Sequence, residues 1–267
     1  MLAIETRGLT RLYGGKAAVE ALELRVPTGA FYGFLGQNGA GKSTTIKMLT
    51  GLLRPSAGSA RVLGLDLARR GLAVKARVGV VPDGLALFER LSGAEMLRIH
   101  GQLYGLDRAT AGRRAAEMLE ALELVADAGR LVQDYSHGMK KKLALGCALI
   151  HGPELLFLDE PFEGIDAVAV AGIRRLLQEL VARGALTVFL TSHVLEVVER
   201  IVSHVGIIHR GRLARQGTLD EVCAGGTLEE AFIRVAGNER APPQGLSWLG
   251  GASPGPAAGG GGPEGER

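Results

Sequence analysis

Cysteine is nearly absent. Cys147 and Cys223 are the only thiols in 267 residues, too few for a disulfide framework or a four-thiolate zinc site. Cys147 lies in the apolar run Leu143–Ile150 and is expected to be a packed core thiol. Aromatic residues make up 4% of the chain, which leaves few rings to stack bases along a groove. No nucleic-acid partner is expected. No stretch reaches the roughly 18–20 consecutive apolar residues of a membrane-spanning helix. The opening Met1–Arg7 has no basic region followed by an apolar stretch, so no signal peptide is read there. A charge excess is missing too, with 31 Lys and Arg against 28 Asp and Glu, a net +3. That balance gives a weak pull toward anionic partners. The expectation is a soluble, intracellular chain that reaches a membrane only through a partner.

What is present is an ordinary globular composition, 46% hydrophobic and 22% charged, with length enough for a sizeable core. Glu20–Val26 alternates polar and apolar residues as a half-buried strand does. Ala30–Leu35, Arg77–Val81, Leu155–Leu158 and Leu186–Leu190 are nearly continuous apolar runs, the mark of strands covered on both faces. Helical patterns occupy Thr44–Leu53, about 138–150 and 166–183. From Ser92 to about Ala126, Met96, Leu97, Leu103 and Tyr104, then Ala115, Met118, Leu119 and Leu122, recur at helical steps. The alternation predicts an α/β fold with a mainly parallel sheet and a helical insertion, about 84–140. Val205–Gln216 reads as a hairpin turning near Arg210-Gly211. Residues 241–267 hold nine Gly and five Pro, a composition that predicts a disordered tail after a domain spanning 1–240. Trp248 and Leu249 in it are taken as incidental.

Gly36-Gln37-Asn38-Gly39-Ala40-Gly41-Lys42-Ser43, followed by Thr44, fits the phosphate-loop pattern with a strand before it and a helix after it. Glycines let successive N–H groups turn inward on an anion, and the helix N-terminus adds its positive end. Lys42 can reach the outer phosphates, and the Ser43 hydroxyl can ligate Mg²⁺. The motif by itself specifies only a nucleoside triphosphate. Four further sites narrow the reading, each with a structural alternative. Asp159 and Glu160 end an apolar strand, where Asp159 can serve the metal and Glu160 polarise a water. Ser136 and Gly138 open a helix that can meet a γ-phosphate; the alternative is a simple cap. His193 ends the next strand, facing the phosphate edge. Tyr13 can stack on an adenine or pack in a turn.

Taken in order, this set resembles the ATP-binding subunit of ABC transporters, over about residues 2–237. Gly36–Ser43 is similar to the Walker A motif, Leu155–Asp159 with Glu160 to Walker B and the catalytic glutamate, and Ser136-His137-Gly138-Met139 to the family signature. Glu163-Gly164-Ile165-Asp166 sits at the D-loop position, His193 at that of the switch histidine. Gly226–Phe232 is similar to an ending common in multidrug-type exporters. The resemblance implies a P-loop NTPase (RecA-like) core with an antiparallel β region and an inserted helical subdomain. It implies ATP and Mg²⁺ as ligands, with Tyr13, Gly36–Thr44, Ser136, Gly138 and Asp166 at the nucleotide and Ser43, Asp83 and Asp159 at the metal. Glu160 and His193 are the implied catalytic pair. It implies a second ATPase subunit closing head to tail, a membrane-spanning permease, and a place on the cytoplasmic face of the cell membrane.

Three positions depart from the family pattern. The glutamine expected after Val78–Pro82 is Asp83, one methylene shorter and negatively charged but still an oxygen ligand. His137 and Met139 replace a glycine and a glutamine of the signature. The run Lys140–Lys142 is expected to be a solvated helix face. Two other readings compete with this one. A soluble ABC-type regulator usually has tandem ATPase domains, a coiled coil or a zinc insertion; a phosphate-loop kinase leaves the 135–139, 159–160 and 193 set unexplained.

Overall fold

The computed structural model describes residues 1–184 and 186–237. In chain order, β1 (Leu2–Tyr13), β2 (Lys16–Leu22), β3 (Arg25–Pro27) and β4 (Phe31–Leu35) lead to α1 (Lys42–Leu49). Then come β5 (Ala57–Val62), β6 (Leu65–Asp66), α2 (Leu67–Lys75) and β7 (Val78–Val81). The helices α3 (Gly93–Leu103), α4 (Arg108–Ala121) and α5 (His137–Leu149) follow, with short 3-10 turns at Val125–Asp127 and Val132–Asp134. The chain continues through β8 (Leu155–Asp159), α6 (Ala167–Ala182), β9 (Thr187–Ser192), α7 (Leu195–Glu199) and β10 (His204–His209). It closes with β11 (Arg212–Thr218), α8 (Leu219–Cys223) and α9 (Leu228–Ala236).

Two sheets result. One runs in the order β11-β10-β4-β9-β8-β7, parallel except for β11 at its edge. The other is antiparallel, β2-β1-β5-β6 with β3 on β1. The central strands β4, β8 and β9 are buried at every residue, which explains their lack of alternation. Along β8 the faces split. Leu155 and Phe157 join Tyr32, Phe34 and Phe189 in the core shared with α1 and the antiparallel sheet, whereas Leu156 and Leu158 join the core beneath α5 and α6. Phe189 stacks on Tyr32 at 5.6 Å. Cys147 is buried on α5, and burial pushes its thiol up to about 12.

The structure corrects some sequence expectations and bears out others, the 205–216 hairpin among them. The strand expected over Glu20–Val26 is broken at Glu23-Leu24, where the Glu23 carboxylate accepts from the Gly8 N–H and Thr6 Oγ1 from the Leu24 N–H. These side-chain bonds interrupt the ladder, although the Thr6 N–H still donates to the Leu24 carbonyl at 2.9 Å. The helix after the phosphate loop starts at Lys42, not Thr44, and stops at Leu49. Its C-cap amide, Thr50, bonds to the Ile46 carbonyl. The 205–216 hairpin turns at Arg210-Gly211 with positive φ at both residues, 49° and 80°, the geometry of the tight primed turn. The helical expectation from Ser92 divides into α3 and α4. Ser92 opens α3 with a reciprocal capping box to Glu95, and Asp107 caps α4. The strands β5 and β6 and the helices α2, α7, α8 and α9 had no counterpart in the sequence reading. The expected tail, with Trp248 and Leu249, lies outside the described residues.

Candidate active site

The register aligns the C-terminal ends of the central strands. Leu35 of β4 pairs with Ser192 of β9, and Asp159 of β8 with Thr191. The loop 36–41, the pair Asp159-Glu160 and Ser192-His193 therefore leave one edge of the sheet side by side, the usual place for a ligand in an open α/β fold. Gly41 holds φ at 109°, and a Cβ there would stand 2.5 Å from the Ala18 carbonyl oxygen. A Cβ on Gly36 would stand 2.7 Å from the Ile208 carbonyl oxygen. No side chain fits at either place, so the loop can pack tightly over β2 and β10.

Lys42, the first residue of α1, is buried. Its Nζ donates to the Gly36 carbonyl at 2.8 Å and lies 3.2 Å from Glu160 Oε1. Glu160 has a left-handed backbone, φ 50°, a conformation that costs a non-glycine residue roughly 1–2 kcal/mol. It is held there by its surroundings. Its N–H lies 3.2 Å from the Thr191 carbonyl and 3.1 Å from Thr191 Oγ1. Its Oε2 accepts from the His193 N–H at 3.2 Å and lies 3.0 Å from His193 Nδ1. Thr191 Oγ1 also donates to Asp159 Oδ1 at 2.6 Å. Both carboxylates are thus buried and fixed, whereas the His193 side chain is 42% exposed.

A cleft of about 380 Å³ opens on this edge. Its wall includes Asn38, Lys42, Ser43, Asp83, Glu160 and His193. Gln37, Gly39, Gly41 and Thr44 also line it. Ligating atoms of Glu160, Glu163 and His193 lie within 4.8 Å of one another. The carboxylate of Glu160 is already shared between Lys42 and His193, so this cluster is better arranged for moving a proton than for caging an ion.

A match to the ABC transporter family model covers residues 19–163. The chain belongs to the ABC transporter family. It is 37% identical over 219 residues to the bacitracin transport ATP-binding protein of Bacillus licheniformis, spanning 82% of this chain and 71% of that one. It is 41% identical over 238 residues to a daunorubicin resistance ATP-binding protein of Streptomyces coeruleorubidus, spanning 88% and 75%. A linearmycin resistance ATP-binding protein of Bacillus subtilis is 37% identical over 83% of this chain and 71% of its own. Among solved structures, an ATP-binding subunit of an ABC transporter superposes with a TM-score of 0.81 at 31% identity, covering 88% of this chain and 99% of that one. This chain is accordingly an ATP-binding, ATP-hydrolysing subunit that couples hydrolysis to transport, built on the P-loop NTPase fold.

The remaining expected residues of this ABC subunit lie elsewhere. Ser136 is exposed and caps α5, its Oγ accepting from the Met139 N–H at 3.2 Å. Asp166 caps α6, accepting from the Val168 and Ala169 amides, and those bonds hold its carboxyl below the usual range. A Cβ on Gly138 would stand 3.6 Å from Asp166 Oδ2, and one on Gly164 would stand 3.4 Å from the His137 ring. Ser136, His137, Gly138 and Asp166 are all absent from the cleft wall. Tyr13 ends β1, half exposed, with the Arg11 guanidinium 4.7 Å from its ring centre. It too is absent from the cleft wall.

The lysine run is a correction. Lys140 pairs with Glu89 and Lys142 with Glu123, at 3.3 and 3.1 Å, but Lys141 is buried with its Nζ 2.7 Å from the Glu160 carbonyl oxygen. Sequence reasoning also missed Thr191 as a site residue. Its one signal was a hydroxyl at the end of an otherwise apolar strand. No helix among the described residues is long and apolar enough to cross a membrane.

Proposed function

We propose that ATP binds in the cleft with its phosphates over the loop 36–41, and that Glu160 is the base that activates the attacking water. The observation that carries this is the placement of one buried carboxylate between the Lys42 ammonium and the His193 ring, at the phosphate-loop edge. Phosphate oxygens compete for Lys42, and its transfer to them frees Glu160 Oε1 to accept a proton. His193 keeps the other oxygen oriented. The Gln37–Thr44 backbone and the N-terminus of α1 meet the negative charge.

The donor set suits magnesium, since Ser43 and Asp83 on the cleft wall and Asp159 at the end of β8 all offer oxygen. When bound, Mg²⁺ would neutralise charge on the outer phosphates; Ser43 and Asp159 would hold it, with Asp83 at the outer edge. Ser136, Gly138 and Asp166 are not on the wall of this chain's own cleft. That placement supports a composite site, in which they meet the nucleotide of a second subunit closed head to tail, with Tyr13 at the adenine. ATP then binds the closed pair better than the open one and shifts the equilibrium between them. The domain is taken as residues 1–240, with the helical insertion carrying the motion to a separate membrane-spanning permease, the whole at the cytoplasmic face. Relatives named for bacitracin transport and for daunorubicin and linearmycin resistance support outward transport of an antibiotic-like cargo.

The test is purification of the tagged full chain from membranes of its own cells, followed by a hydrolysis assay. A polytopic membrane protein should co-purify, and ATP turnover should require a divalent cation. Recovery of the chain with no membrane protein in any preparation would overturn the permease partnership. Turnover unaffected by chelation would overturn the magnesium assignment.

A further inference from the structure

Lys141 is the one lysine of its run that enters the core. It sits one turn into α5, the helix whose first residues are Ser136, His137 and Gly138. An ammonium that leaves water needs compensation. Here the Glu160 carbonyl oxygen accepts from it at 2.7 Å, and the carboxylates of Asp83, Glu163, Glu160 and Asp159 surround it electrostatically. Burial pulls its pKa down and those four carboxylates push it back up. The same carbonyl oxygen lies 3.3 Å from the Glu163 N–H, closing the turn after Glu160. The peptide so gripped follows the residue with the left-handed backbone, φ 50°.

A mere space-filling role does not call for a cation. A leucine or methionine would cover the same apolar stem without the cost of desolvating a charge. The charge is kept where it grips one oxygen, and that oxygen belongs to the peptide whose orientation aims the carboxylate at Lys42 and His193.

Resting on the ATPase reading above, we propose that Lys141 is a positioning residue for hydrolysis. It ties α5 to the Glu160 peptide, so that the seat of the α5 N-terminus, which faces the neighbouring subunit's nucleotide, sets the aim of this chain's own base. Lys141 is buried and is not on the cleft wall, so it acts through Glu160. Its effect is on kcat, through the placement of Glu160, and not on nucleotide affinity.

The experiment compares the full chain with Lys141→Met and Lys141→Arg. Methionine keeps the stem and removes the donor; arginine keeps a cationic donor. Lys141→Met should lose about 10- to 100-fold in kcat, the scale set by misplacing a catalytic group by an ångström. Its dissociation constant for a fluorescent ATP analogue should match the parent's. Lys141→Arg should recover most of the turnover, and circular dichroism should show both variants folded. Parent turnover in Lys141→Met overturns the proposal. So does an equal loss in both variants, or a loss of nucleotide affinity that parallels the loss of kcat. If the parent chain itself neither binds nor hydrolyses ATP, the ATPase reading fails before the variants are compared.

Discussion

The Lys42 ammonium and the Glu160 carboxylate form a buried ion pair at 3.2 Å, with side-chain exposures of 6% and 10%. The two residues are far apart in sequence and belong to different strand-loop junctions. In the proposed mechanism, this pairing holds the phosphate-binding cation and the base together until a nucleotide separates them. Lys42→Ala should abolish tight binding of a fluorescent ATP analogue, because the cation facing the outer phosphates is gone. It should also lower the melting temperature without nucleotide. Leaving one member of a buried pair unmatched costs about 3–5 kcal/mol in general, and His193 limits the loss here. The double variant Lys42→Ala/Glu160→Gln should melt higher than the two single losses sum to. Additive losses would show that the pair is not energetically coupled.

Glu160→Gln keeps the size and one oxygen while removing the negative charge. Hydrolysis should fall by about 10²-fold or more, and ATP should still bind. Size-exclusion chromatography with millimolar ATP and Mg²⁺ should show a dimer for this variant and a monomer without nucleotide. Hydrolysis at the parent rate would remove Glu160 from the chemistry. A variant that binds ATP and stays monomeric would make closure depend on the membrane partner.

Thr191→Val tests the clamp between the two carboxylates. The change preserves shape but removes the donor to Asp159 Oδ1 and one acceptor for the Glu160 N–H. Leaving such buried groups unpaired costs about 1–3 kcal/mol. Urea unfolding should show that loss, and turnover should drop with it. Unchanged turnover would mean that the backbone alone places Glu160.

Asp83 is exposed on the cleft wall. Asp83→Gln should be tolerated in steady-state hydrolysis by the full chain, since both side chains offer an oxygen to Mg²⁺. A loss of about a hundredfold, the scale of a positioned proton-transfer group, would make the carboxylate itself catalytic.

His151 and His100 set a pH dependence of stability. The His151 ring stacks on Tyr104 at 3.7 Å, its Nε2 lies 3.1 Å from the Val78 carbonyl oxygen, and burial holds its pKa down, with Arg114 and His100 adding repulsion. Burial lowers His100 as well. The unfolded chain therefore takes up these protons more readily than the folded one. Their contribution to stability is fully present above about pH 6.5 and is lost as pH falls through the depressed folded values. The melting temperature should drop on acidification below that point, and His151→Gln should flatten the drop. A melting temperature constant from pH 7 to 5 would contradict this.

Much of the site was legible in the residue order. Gly36–Thr44 is readable as a candidate phosphate loop from a local pattern of glycines, a lysine and a helix start, and such patterns survive reading one residue at a time. The apolar runs that became β4, β8 and β9 announced their burial because both faces are covered. The positions of Asp159, Glu160 and His193 followed, since each ends a strand whose length the run itself gives.

The tertiary structure alone decided which of these groups meet. Register across β4, β9 and β8 brings Lys42, Thr191, Glu160 and His193 to one edge, and no local pattern encodes a pairing between residues so distant in sequence. Lys141 looked like its neighbours on paper, three lysines in a row, yet the pitch of α5 turns only the middle one inward to the Glu160 carbonyl. Short elements such as β6 and α7 were invisible for the complementary reason. Their few residues carry too little periodicity, and tertiary packing, not propensity, supplies their stability.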